Sequence, residues 1–119
     1  MIRIPQHSGF GNLNDLQTFQ EDLEGIQRKV DYWMVEMEEF TGHGSLAFEE
    51  LTLGGAKLSS KAFSSLCYCV DQTIDGVFTA FIDNRQVLKL EAVDSRYWEI
   101  PGSKEFENSM LEKYGNYDS

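Results

Sequence analysis

The chain is poor in sulfur, histidine, proline and positive charge. Of 119 residues only two are cysteine, two histidine and two proline. Cys67 and Cys69 stand at C-x-C spacing, too close along the chain to meet the specific Cα and Cβ separations of a disulfide. With no third cysteine, a disulfide framework is excluded, and a reducing compartment, the cytoplasm, is expected. Zinc needs clustered Cys and His ligands, and His7 and His43 are the only histidines. No metal and no cofactor are expected. No apolar run approaches the roughly 18 residues of a membrane span. The opening stretch, MIRIPQHSGFGN, has neither an apolar signal core nor a small-residue cleavage site. Ten bases stand against twenty acids, a formal net charge of −10. Such a surface repels nucleic-acid phosphates and anionic membranes, so neither is expected as a partner. It attracts basic proteins and speeds encounter with them.

What is present is a foldable chain. The hydrophobic share is 41% and the aromatic share 13%, enough for one globular domain spanning 1–119. The densest signal is the block 77–100, VFTAFIDNRQVLKLEAVDSRYWEI. Two alternating runs flank Asp83-Asn84, a pair that tolerates left-handed backbone. A third run follows Asp94-Ser95 and ends at Pro101-Gly102. This predicts an antiparallel hairpin at 77–93 and a return strand at 96–100.

Upstream, apolar residues at Leu16, Phe19, Leu23, Ile26, Val30, Trp33, Met37 and Phe40 step by three and four, a helical stripe. One helix of that length would overhang so small a domain, so a break near Val30 is expected. Asn14 is the candidate N-cap. Beyond the break VDYWMV favours strand and EMEEF favours helix; the reading leans to strand at 31–40, with a second helix as the alternative. LAFEELTL (46–53) reads as a further strand. Phe63, Leu66, Cys67, Val70 and Ile74 mark a helix over 59–74, and Ser103 caps a last helix over 103–114. The fold class is α+β, an antiparallel sheet with helices over roughly 14–29, 59–74 and 103–114 packed on one face.

No catalytic set emerges, so no enzymatic activity is expected. His43, in Gly-His-Gly beside Ser45, is the nearest to a general base. Gly9-Phe10-Gly11 lacks the further glycines and the Lys-Ser/Thr of a phosphate loop. The acids, however, are unevenly placed. From Val30 to Ala56 there are six, Asp31, Glu36, Glu38, Glu39, Glu49 and Glu50, and no Lys or Arg. Like charges gathered on one element cost a few tenths of a kcal/mol per pair, a repulsion that a basic partner would offset. These six are the candidate partner-binding residues, with Trp33 or Tyr32 as a candidate aromatic anchor.

Trp33 with the acidic run after it, the segment LEAVDSRYWEI (90–100) and a short terminal helix ending at Tyr114-Gly115 together resemble small immunity proteins of bacterial polymorphic-toxin and contact-dependent inhibition systems. The resemblance spans about residues 30–115 and carries over no binding residue. It implies a cytoplasmic monomer or weak homodimer that binds and neutralises one cognate protein toxin with a basic surface, a nuclease foremost. The other reading is a non-enzymatic adaptor, of phage type, that oligomerises through its amphipathic N-terminal helix.

Overall fold

In the computed structural model the β-rich block forms the middle of a six-stranded, wholly antiparallel sheet. Residues 1–7, 11–42 and 55–117 are described. The expected strand 46–53, His43, Glu49 and Glu50 lie outside them. In chain order the elements are β1 (Ile2–Pro5), α1 (Gln20–Gln27), β2 (Tyr32–Gly42), β3 (Ala56–Leu58), α2 (Ser60–Cys69), β4 (Val70–Ile82), β5 (Arg85–Val93), β6 (Tyr97–Ile100) and α3 (Lys104–Tyr114). The sheet order is β1-β6-β5-β4-β2-β3. None of the described helices is long and apolar enough to cross a membrane.

Both predicted hairpin turns form where two consecutive residues accept left-handed backbone. Asp83 and Asn84 have φ of 51° and 60°, and Asp94 and Ser95 have 51° and 58°. Two consecutive positive φ values match the right-handed twist of the strands on either side. Pro5 ends β1 at the sheet margin, where its missing N–H leaves no gap in a ladder.

The expected strand at 31–40 forms as β2, Tyr32–Gly42, and the chain breaks at Val30 as the stripe's length required. The helices are shorter than the periodicity suggested. Asn14 is not an N-cap: it is buried, and its side-chain amide donates to the Pro5 carbonyl at 2.9 Å. Asp15 and Gln17 likewise turn to β4, with Gln17 Nε2 donating to the Val70 carbonyl at 3.2 Å. Polar side chains pulled to other elements hold 15–19 as turns, and regular helix starts only at Gln20. At the other boundary α2 stops at Cys69 and β4 begins at Val70 with no loop between. Val70 and Ile74 fit the helical stripe, but Val70, Thr73 and Ile74 are β-branched and favour the pleated surface that β2 offers. Phe40 pairs with Thr73 and Thr41 with Gln72 there.

All three helices cover the same face. Trp33 stacks on Phe63 of α2 at 3.9 Å, and Trp98 meets Phe19, just ahead of α1, edge-on at 5.3 Å. Met110 of α3 joins the same core. The N-terminal stripe is spent in it: Leu16, Phe19 and Leu23 are fully buried. On every strand alternate residues turn to the opposite face, on which no described helix packs.

Candidate functional site

The helix-free face carries the acids of β2, and a break in its ladder spreads them. Met37 pairs with Gly76 and Glu39 with Asp75, so Glu38 is an extra residue without a partner across the strand. The bulge depends on Gly76. A β-carbon there would lie 3.1 Å from Thr73 Cγ2 and 3.3 Å from the Glu36 carbonyl oxygen. Gly76→Ala would gain about 0.5–1 kcal/mol in backbone entropy, but the crowding costs about 1–3 kcal/mol. Because one neighbour is backbone, crowding wins. A net loss of about 1 kcal/mol is expected in urea unfolding, and a stabilised variant would show that the bulge does not need the glycine.

Around the bulge Glu36 and Glu38 meet Asp75 of β4 and Glu91 of β5 at a hollow of about 80 Å³. Glu36, Glu38 and Glu39 are exposed. Two like-charged pairs lie directly across strands on this face, and they are treated differently. Glu91 opposes Glu99, and each has a cation: Lys89 Nζ is 3.2 Å from Glu91 and Arg3 is 2.9 Å from Glu99. Glu39 opposes Asp75, and no described cation pairs with either. Asp75 only accepts the Asp94 backbone N–H at 2.9 Å. Among the described residues no group of three or more His, Cys, Asp or Glu is placed to hold a metal ion.

Of the sequence candidates, Glu36, Glu38 and Glu39 are thus brought together. Asp31 is not with them. It precedes the far end of β2, and its carboxylate accepts the Asp83 N–H of the β4–β5 turn at 2.7 Å. Trp33 is fully buried, its indole N–H donating to Gln27 Oε1 at 2.8 Å. Tyr32 is on the helix-free face. It stacks on Phe81 at 4.9 Å with Lys57 Nζ 4.2 Å from its ring centre. Glu91 was missed because it lies among bases in the sequence, and Asp75 because it stands 36 residues beyond Glu39; only the sheet register delivers them to β2.

A larger hollow lies elsewhere, a groove of about 690 Å³ between α1 and α2, edged by Glu21, Glu24, Arg28, Lys61, Ser64 and Tyr68. Its charges are mixed and its amides are in use: Gln20 bonds the Leu16 carbonyl and Gln27 bonds Ser64. Cys67 is buried beside it, and desolvation pushes its thiol pKa far up, the opposite of a reactive thiolate. Compared with known protein families, characterised proteins and solved structures, the chain matches none.

Proposed function

We propose that the chain is an immunity protein. It binds the toxin domain encoded beside it and blocks a basic active-site cleft, that of a nuclease, with the acidic patch of β2. The observation that carries this reading is the contrast between the two like-charged pairs. Cations neutralise Glu91 and Glu99, whereas Glu36, Glu38, Glu39 and Asp75 are left uncompensated by described residues. A solvated face needs no such gathering, and a partner's Lys and Arg would offset it through charge-assisted bonds and fast, salt-sensitive encounter. Enzymatic activity is not part of the reading.

The test uses the toxin domain encoded immediately upstream of the gene. Replacing Glu36, Glu38 and Glu39 together by Lys should slow association by about tenfold at low salt and weaken affinity by about 30-fold. Growth protection should fall with it. The fold should survive, since a Lys at position 39 would face Asp75 across the ladder. Unchanged association and protection by a folded variant would sink the reading, as would a gene with no toxin domain beside it.

A further inference from the structure

The acids occupy one end of a larger surface whose other end is apolar. The outward residues of β2 and β4 there include Tyr32, Met34, Val77 and Phe81, each half-buried. An antiparallel sheet with one wet face ordinarily alternates apolar-in with polar-out. Here the register instead sets Tyr32 beside Phe81 and Met34 beside Thr79, whereas Val93 beside Tyr97 lies past the Glu91–Glu99 pair, where Tyr117 packs on Tyr97 at 4.7 Å. Val77 lies between Glu36 and Glu91, which makes it the junction of the apolar strip and the acidic end. The two lysines nearest the strip are engaged locally, Lys57 over the Tyr32 ring and Lys89 with Glu91. The molecule measures 34 × 31 × 21 Å. Six strands at about 4.8 Å spacing give a face about 24 Å wide. Over strands about 25 Å long that is on the order of 600 Å² before side-chain relief, close to the ~800 Å² per partner of a stable complex.

We infer that the whole helix-free face is the seat of the partner protein, which presents an apolar ridge to Met34, Val77 and the Tyr32–Phe81 stack and a Lys/Arg cluster to Glu36, Glu38, Glu39 and Asp75. This rests on the toxin-binding reading and adds to it a division of labour. The acidic end sets approach and orientation. The apolar strip, once dry, sets how long the complex lasts, because desolvated centres hold most binding energy and charged rims little. Tyr32 is the aromatic anchor of that strip. A second copy of this chain is a poorer occupant, since its own uncompensated acids would be brought against these.

The test separates the two layers. Met34→Thr with Val77→Thr removes apolar surface, adds no charge and keeps strand propensity. Against the upstream-encoded toxin domain, this double variant should dissociate at least tenfold faster with its association rate within twofold of the wild type. Dissociation unchanged within twofold overturns the inference while leaving the acidic-patch reading intact. Failure of the triple Lys variant to slow association overturns the reading itself. A twelve-residue peptide, Val-Thr repeated three times and then Lys-Thr repeated three times, is a second probe, presenting an apolar half and a basic half on one side of an extended chain without the toxin. It should bind the wild type more tightly than the double variant, and equal binding overturns the inference. Sedimentation adds a last arm: a stable homodimer abolished by the double variant would make the occupant a second copy and overturn the proposal.

Discussion

Trp98→Ala is expected to cost about 4–5 kcal/mol, the largest loss of any single truncation on this sheet. Trp98 is fully buried on β6, a strand of only four residues. Its ring meets Phe19 edge-on at 5.3 Å and lies 6.2 Å from Phe78, so it joins the turn before α1 to the middle of β4. Its indole N–H donates to the Asn14 carbonyl at 2.9 Å, a buried bond 84 residues apart in sequence. Truncation removes the transfer energy of the ring and leaves a cavity, together about 3–5 kcal/mol for Trp→Ala. It also leaves the Asn14 carbonyl without its donor, about 1–3 kcal/mol more if no water reaches it. Against a domain stability of about 5–15 kcal/mol, the variant sits at the margin of folding, with a melting temperature lower by about 15 °C. Trp98→Phe keeps most of the ring and loses the N–H, so about 2 kcal/mol is expected from it. Urea midpoints of the three proteins decide this. A Trp98→Ala loss below about 1.5 kcal/mol would mean the site collapses around the gap and β6 is not the tie described here.

That position also explains which part of the sequence was legible. The segment that carried the resemblance, LEAVDSRYWEI, owes its pattern to the fold. Asp94-Ser95 is the left-handed turn, Trp98 and Ile100 fill the core, and Glu99 is neutralised by Arg3. Strand periodicity and turn chemistry are local, so the hairpin could be read directly. The helix ends could not, because they are decided by distant partners. Asp15 and Gln17 fit a helical pattern yet bond to β4, and Val70 fits the stripe of α2 yet opens a strand. The same division holds for the site. The base-free run made Glu36, Glu38 and Glu39 visible. Glu91 stands among Lys and Arg in the sequence and Asp75 far from the β2 acids, and only strand pairing brings the two to Glu36 and Glu39. The apolar strip was hidden for a simpler reason. Alternation shows that a strand has two faces, and it does not say which face the helices will cover.

The second large effect lies at Asp15, a buried carboxylate 2% exposed. Its Oδ1 accepts from Leu16 N at 2.8 Å and Thr73 Oγ1 at 2.9 Å, and its Oδ2 accepts from Thr73 N at 2.8 Å. Loss of contact with water raises its pKa, the hydrogen bonds from Thr73 and Leu16 and the nearby His7 pull it back, and the result is about 6. Since the folded value lies above the unfolded one, near 3.9, the folded protein holds this proton more tightly. The stabilisation is therefore complete below about pH 4 and lost as pH rises through 6. Linkage gives a gain of about 1.3 kcal/mol on going from pH 7 to pH 5. Glu107 acts in the opposite sense, its pKa lowered by bonds from the N-terminal ammonium and the Gly102 N–H, so its contribution falls away only in more acidic solution. Relief of the net charge of −10 also favours low pH, but a neutral Asn at position 15 keeps that part and loses the proton of Asp15. The gain between pH 7 and pH 5 should thus shrink by about 1 kcal/mol in Asp15→Asn. Asp15→Ala instead orphans the buried N–H groups of Leu16 and Thr73, and a loss of about 3 kcal/mol is expected at pH 7, widening at pH 5 because only the wild type gains from protonating Asp15 there. Urea unfolding of the three proteins at both pH values checks the sign as well as the size. If wild type and Asp15→Asn gain equally on acidification, the proton is not on Asp15 and the buried network is held by a carboxylate that stays ionised.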